Sequence, residues 1–366
     1  MKDGLTHQKV TLLLGARRVG KTQLLQALAN ELGEKVLVLN GEDADAASLL
    51  ENRSISNYRR LLEGYEFLII DEAQYISDIG LKAKLMIDSI QPLHILMTGS
   101  SAYDLVQVGE PLTGRTRTYQ LYPMAQMELK ETENLLQTKQ LLEERLIYGS
   151  YPELITTSTL ESKKSYLNEL VNTYLLKDLL AFEDIRQSAK ISDLLKLLAF
   201  QVGNEVSYEE LGRQLGISKN TVERYLDLLS KVFIIYQRKG FSRNLRKEIV
   251  KNSKWYFLDN GVRNALIGQF QPLALRQDIG QLWENYLLSE RIKRNAYQEE
   301  ILTSYFWRTY DQQEIDLVEE KDGKLAAFEC KWKESRGKIP VAFANAYPAT
   351  SFQVINQENY LNWIGA

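Results

Sequence analysis

The first patterned segment is Val10-Thr11-Leu12-Leu13-Leu14, an apolar and β-branched run with no polar alternation. Such a run predicts a strand buried on both faces of a parallel sheet. Comparable runs at Lys35–Asn40, Phe67–Asp71, Leu93–Thr98 and Thr118–Tyr122 predict four more strands. The first is followed by Gln23-Leu24-Leu25-Gln26-Ala27-Leu28, whose apolar positions recur at helical spacing. Strands alternating with helices place this part of the chain in the α/β class with a parallel sheet.

After Pro123 the period becomes helical, from Met124 to about Ala189, broken at Gly149-Ser150-Tyr151-Pro152-Glu153. Tyr166, Leu167, Leu170, Tyr174 and Leu175 fall at helical spacing and read as core. Ile191–Phe200 is an apolar-faced helix, and Ser207-Tyr208-Glu209-Glu210 is a capping box that starts a second. The turn Gly216-Ile217-Ser218 leads into a third helix, Lys219–Lys231. Val232–Tyr236 and Lys254–Leu258 then read as paired strands, which together with the helix-turn-helix predicts a winged helix. From Gly280 the order is α-β-β-β-α-β: helix Gln281–Arg294, strands Ser304–Arg308, Gln313–Glu319 and Leu325–Trp332, helix Val341–Ala346 and strand Phe352–Ile355. Three domains are expected, at 1–125, 126–262 and 263–366. Their number agrees with a chain of 366 residues.

Composition narrows the chemistry. With 44% hydrophobic and 25% charged residues the chain is an ordinary globular one. Lys plus Arg total 45 against 48 Asp plus Glu, so a nucleic-acid surface has to be local. One Cys, Cys330, and two His, His7 and His94, exclude a disulfide framework and all but exclude Cys or His metal sites. Any catalysis has to run on carboxylates, Lys, Arg and backbone. Met1–Leu5 lacks the layout of a signal peptide, which makes the cytoplasm the expected compartment.

The sharpest motif follows the first strand. Gly15-Ala16-Arg17-Arg18-Val19-Gly20-Lys21-Thr22 is a complete G-x-x-x-x-G-K-[ST] loop between a strand and a helix. Its backbone N–H groups and the helix N-terminus face phosphate oxygens. Lys21 reaches the β- and γ-phosphates, and Thr22 is placed to ligate Mg²⁺. Phe67-Leu68-Ile69-Ile70-Asp71-Glu72 supplies the partner acids, Asp71 for the Mg²⁺ shell and Glu72 to polarise the attacking water. Thr98-Gly99-Ser100-Ser101 places either Thr98 or Ser100 to sense the γ-phosphate, or is simply a turn. Arg115, after Gly114, is a candidate arginine finger for its own or a neighbouring subunit, with Arg17 and Arg18 as competitors. The chain has no N-K-x-D guanine signature, which favours ATP.

Two further constellations stand out. Lys219, Asn220, Thr221 and Arg224 open the third helix of the winged helix, beside Arg238, Lys239, Arg243, Arg246, Lys247 and Lys251, with Glu248 the lone acid. This polar and basic surface suits DNA phosphates, and a winged helix also serves as a protein-docking module. At the end of the chain, Glu314-Ile315-Asp316 and Glu329-Cys330-Lys331 lie on neighbouring strands, with Glu284 on the preceding helix. Glu284, Asp316 and Glu329 form a hard-oxygen Mg²⁺ set. With Lys331 to orient water, Asp316 and Glu329 make either a phosphodiester-cutting centre or a surface salt-bridge cluster.

The series Gly15–Thr22, Ile70–Gln74, Thr98–Ser101, Leu112–Arg115, Tyr148–Glu153, Lys254–Gly261 and Glu314–Asp316 resembles the prokaryotic AAA-type ATPases that end in domain of unknown function 4143. The resemblance implies an AAA-like ATPase, a winged helix and a restriction-endonuclease-like terminal domain. In the last of these, Glu284, Asp316, Glu329 and Lys331 match nuclease positions. The leading expectation is a Mg-dependent ATPase that couples its nucleotide state to DNA binding. A nucleotide-gated DNA nuclease and a nucleotide-dependent protein scaffold are the alternatives. Self-association is left open.

Overall fold

The computed structural model describes residues 9–100, 112–175, 188–243, 253–309, 311–334 and 337–366. They fall into two compact units, Met1–Tyr122 with Lys231–Phe233, and Pro123–Ser230 with Ile234–Ala366.

In the first unit, strands β1 (Val10–Leu14), β2 (Val36–Asn40), β3 (Phe67–Asp71), β4 (His94–Gly99) and β5 (Thr116–Gln120) form a parallel sheet in the order β2-β3-β4-β1-β5. Alternation along the strands explains the unbroken apolar runs. Leu12, Leu68, Ile70, Ile95 and Met97 pack in one core with Tyr58, Met86 and Ile87, from helices α3 (Ile55–Leu61) and α4 (Ile79–Ser89). Their neighbours Leu13, Ile69 and Leu96 pack in a second core with Leu25 and Leu28 of α1 (Lys21–Leu32). Each buried Leu or Ile contributes roughly 1.5–3 kcal/mol, so both faces hold the sheet flat against its helices. Helix α2 (Ala44–Leu49) completes the described α-helices of this unit. Because every strand runs the same way, all the carboxyl ends meet at one edge, where ligands bind in open α/β sheets.

The second unit begins with helices α5 (Leu135–Tyr148), α6 (Pro152–Thr156) and α7 (Leu160–Glu169), the last continuing into a π-helical stretch, Leu170–Leu175. Tyr166, Leu167 and Leu170 are buried as their spacing predicts. The side chains of Tyr174 and Leu175, and the expected helix across 176–187, lie outside the described residues. Next come α8 (Ser188–Phe200), β6 (Glu205–Val206), α9 (Tyr208–Leu215), α10 (Lys219–Lys231), β7 (Ile235–Gly240) and β8 (Ser253–Phe257). Ser207 caps α9 by accepting from Glu210 N at 3.3 Å, and Gly216 ends it at φ 67°. One expected strand is shifted. Ile234 N still donates to Leu229 O at 3.1 Å and Phe233 is left-handed at φ 59°, so Val232–Ile234 form a turn after α10 and β7 starts at Ile235, three residues later than expected.

Helices α11 (Asn260–Leu266) and α12 (Ile279–Tyr297) precede β9 (Thr303–Arg308), β10 (Glu314–Lys321), β11 (Lys324–Cys330), α13 (Val341–Ala346), β12 (Ser351–Ile355) and α14 (Tyr360–Ile364). The α-β-β-β-α-β order expected from Gly280 onward is therefore present. β7 pairs in parallel with β9, which fuses the hairpin and the terminal strands into one mixed sheet, β12-β11-β10-β9-β7-β8-β6. No helix among the described residues is long and apolar enough to cross a membrane.

Two of the quoted motifs meet inside this unit. Asn260 and Asn264 donate to Leu146 O at 3.2 and 3.1 Å, and Asn264 also donates to Ile147 O at 2.8 Å. These bonds satisfy carbonyls at the end of α5 that have no helical partner. Asp259 caps α11 through Val262 N at 3.1 Å and takes Ser150 N at 2.7 Å. Tyr148–Glu153 and Asp259–Gly261 are thus two halves of one junction.

Candidate functional site

The carboxyl edge of the parallel sheet gathers the phosphate-loop residues. Gly15 directly follows β1, and a Cβ there would lie 2.3 Å from Leu121 O, so only glycine lets the chain turn. Gly20 at φ 100° and Arg18 at φ 61° supply the left-handed corners of the loop, while Ala16 and Val19 are buried. Lys21 is buried and its Nζ folds back over the loop, donating to Gly15 O at 2.9 Å and Ala16 O at 3.0 Å.

Asp71 is the hub of the site. Its Oδ2 accepts from Thr22 Oγ1 at 2.7 Å, and its Oδ1 accepts from Thr98 Oγ1. Thr98 Oγ1 in turn accepts from Glu72 N at 2.9 Å, which ties the ends of β3 and β4 together. Glu72 is left-handed at φ 49°, and its Oε2 takes Gln74 Nε2 at 2.6 Å. Gly41 passes so close that a Cβ would meet Glu72 O at 2.3 Å. Of the two sensor candidates, Thr98 contacts both acids, and Ser100 is buried one residue beyond β4. Ser101 lies outside the described residues. Thr22 and Asp71 offer two hard oxygens side by side, a donor set that fits Mg²⁺.

The arginine candidates separate. Arg17 donates to Tyr75 Oη at 3.3 Å, and Arg18 is exposed. Arg115 sits at the opposite edge of the sheet. Val10 N bonds to Arg115 O at 2.7 Å, and Val10 pairs with Thr116, so Arg115 lies at the amino end of β1. Five residues at ~3.3 Å each put that end about 17 Å from the loop. The expectation that Arg115 reaches the γ-phosphate of its own chain is therefore corrected by strand register. Its guanidinium is ion-paired with Asp88 of α4.

In the helix-turn-helix, Lys219, Asn220 and Arg224 are exposed at the start of α10, and Thr221 is half-buried. Thr221 belongs to the helix start: its N donates to Ser218 Oγ at 3.1 Å, and the two hydroxyls are 2.8 Å apart. Lys219 Nζ pairs with Glu209 Oε1 at 2.5 Å. Glu223 and Asp227 are exposed on the same helix, which leaves its surface mixed in charge. The hairpin is less basic outside than its sequence predicts. Lys239 and Arg243 are exposed, but Arg238 lies within β7, where alternation turns it inward, and it is 3% exposed. Arg246, Lys247, Glu248 and Lys251 lie outside the described residues.

The terminal acids are brought into one neighbourhood, though not onto one point. Glu284 of α12 accepts from Tyr256 Oη at 2.6 Å and lies 3.9 Å from Lys254 Nζ. Lys254 is also ion-paired with Glu314, whose second oxygen lies 3.7 Å from Arg308 Nε. Asp316 Oδ2 accepts from Cys330 N at 2.7 Å, and Glu329 Oε1 holds Lys331 Nζ at 2.6 Å. Burial, reinforced by Glu284 and Glu329, drives the Asp316 carboxyl well above the usual range. Burial also raises Glu284, against the opposing pull of Lys254. Burial works to lower Lys254, but Glu284 and Glu314 outweigh it and hold the ammonium above its ordinary value. Among the described residues, no group of three or more His, Cys, Asp or Glu is arranged to hold a metal ion. The expected Mg²⁺ set of Glu284, Asp316 and Glu329 is not such a group, and one oxygen of each is bonded within the chain.

Lys254, Arg238 and Tyr256 were not legible as members of this cluster. Their signal is the two-residue alternation Tyr236-x-Arg238 and Lys254-x-Tyr256, which places all four on one face of the hairpin once β7 and β8 are paired.

A family model described as an AAA domain matches residues 7–130, and two described as domains of unknown function (DUF8612 and DUF4143) match 139–273 and 279–362. An uncharacterized protein of Mycobacterium tuberculosis is 27% identical over 337 residues, spanning 90% of this chain and 72% of the relative. An uncharacterized protein of Haemophilus influenzae is 23% identical over 341 residues, spanning 86% and 80%. Among solved structures, the Thermotoga maritima RuvB Holliday junction branch migration motor is similar at 17% identity and TM-score 0.31, covering 66% of this chain and 87% of its own. With the parallel sheet and its phosphate loop, the chain carries an AAA domain of the P-loop NTPase fold at residues 7–130 and a DUF4143 domain at residues 279–362.

Proposed function

We propose that the protein is a Mg-dependent ATPase whose nucleotide state governs DNA binding by its second unit. The observation that carries this reading is the Asp71 hub, which holds Thr22 on one carboxylate oxygen and Thr98 on the other. The loop from Gly15 to Gly20 would wrap the phosphates with its N–H groups, and Lys21 would exchange its two loop carbonyls for phosphate oxygens. Thr22 and Asp71 would hold Mg²⁺, which supplies neutralising charge to the phosphates when bound. Glu72 would orient and deprotonate the attacking water, and Thr98 would keep its backbone in register with Asp71. As an arginine finger, Arg115 would act on a neighbouring copy of the chain.

For DNA, the support is the order α8-β6-α9-α10-β7-β8 with a β6-β8-β7 sheet, which is that of a winged helix. Lys219, Asn220 and Arg224 would contact the backbone from the exposed start of α10, where the helix end itself favours phosphate. Glu72→Gln tests the catalytic assignment. ATP turnover is expected to fall about 100-fold or more with ATP binding retained, an effect of the size seen when one transition-state group is removed. Unchanged turnover would remove Glu72 from the mechanism.

A further inference from the structure

We propose that the terminal carboxylates are neutralised by a cation of the chain itself, with the Lys254 ammonium standing where a divalent metal would otherwise bind. Arg238 and Lys254 are direct cross-strand partners on β7 and β8. Like charges facing each other across a ladder repel, and burying either one costs several kcal/mol. Yet they are 3% and 2% exposed. Such a pair is tolerated only where negative charge faces it. Glu284 of α12 and Glu314 of β10 supply that charge at Lys254.

One oxygen of each expected ligand is already bonded within the chain. Tyr256 Oη occupies Glu284, Cys330 N occupies Asp316, and Lys331 occupies Glu329. Lys254 lies over the Phe306 ring at 5.3 Å, and Arg238 lies over Tyr236 and Tyr256 at 5.8 and 5.9 Å. Nε and Nη1 of Arg238 are buried without hydrogen-bond partners, so its charge is answered by ring faces and the field of the acids. Lys254 answers Glu284 and Glu314, Lys331 answers Glu329, and Arg308 is shared between Glu314 and Glu205, so most of the negative charge that would draw in a divalent ion is already matched within the chain. The cluster becomes an electrostatic clamp between the hairpin and the strands and helix that carry the acids.

Mn²⁺ binding to the full chain, followed by electron paramagnetic resonance, tests this. Asp71→Ala is present throughout to silence the phosphate loop. The chain with Lys254 intact is expected to bind no Mn²⁺ that responds to Glu284→Gln. Lys254→Met, which keeps the bulk and removes the charge, is expected to gain a single Mn²⁺ site that Glu284→Gln abolishes. Lys254→Arg is expected to gain none. Two results overturn the proposal: Mn²⁺ held with Lys254 intact and released by Glu284→Gln, or a folded Lys254→Met chain that gains no site. The first needs no folded Lys254 variant and decides the matter alone.

Discussion

Lys21→Ala is expected to lower ATP turnover about 100-fold or more while leaving the protein folded. The side chain is buried in the loop, where its ammonium bridges Gly15 O and Ala16 O. An ammonium held by two neutral carbonyls is poised for a stronger, charged acceptor, and the phosphates of ATP provide one. In the proposed mechanism the backbone N–H groups would still address the phosphates without it, but charge developing at the γ-phosphate would lose the lysine's contribution. Lys21→Arg is not a rescue, because a planar fork cannot replace a compact point charge inside a closed loop. Turnover and calorimetric nucleotide binding measure the loss. Thermal unfolding in the absence of nucleotide, compared with the parent, checks that the fold is intact.

The largest stability effect is expected at Gly261. A Cβ there would lie 1.9 Å from Tyr148 O and 2.5 Å from Tyr148 C, with Asp259 Oδ1 at 3.0 Å. Both near atoms are backbone, so no side chain can swing away. The collision falls at the junction where Asn260 and Asn264 hold the last carbonyls of α5 and Asp259 holds Ser150 N. Moving α11 to admit a methyl would break several of these buried bonds together. Gly261→Ala is therefore expected to cost on the order of 3–5 kcal/mol, a size reserved for overpacking combined with lost buried hydrogen bonds. Gly280→Ala is the control, since nothing lies within 4 Å of a Cβ at that position. It is expected to be near neutral or slightly stabilising. Urea unfolding of the two variants against the parent reads the difference, provided the slope is unchanged.

What could be read in advance follows from where the determining interactions lie. Strands of the parallel sheet are covered on both faces, so each announces itself locally as an apolar run. Gly15, Lys21 and Thr22 stand out as a compact motif and Asp71 as the acid ending an apolar run, and the structure brings them to one edge of the sheet. Position across a sheet has no such local signal. The register of β5 on β1 takes Arg115 away from its own phosphate loop, and nothing in Leu112–Arg115 encodes that register. The parallel pairing of β7 with β9 joins residues far apart in the chain, at Lys239 and Tyr305. That pairing places Arg238 in the interior of a sheet, although its neighbours in sequence make it look like part of a basic surface. β6 is two residues long, too short for any periodicity to show. The Tyr148–Glu153 and Asp259–Gly261 motifs were visible as motifs. Their junction has no local signal, because Asp259 and Gly261 pack against Gly149 and Tyr148 and Asp259 bonds Ser150 N across 109 positions of the chain.

The phosphate loop of the first unit and the α9–α10 helix pair of the second are proposed to serve one process. ATP turnover with and without duplex DNA tests it most directly, measured on the parent and on a Lys219→Glu, Arg224→Glu double variant. DNA is expected to change the turnover of the parent and to leave the double variant at its DNA-free rate. Turnover indifferent to DNA in the parent, or altered equally in both proteins, would contradict it.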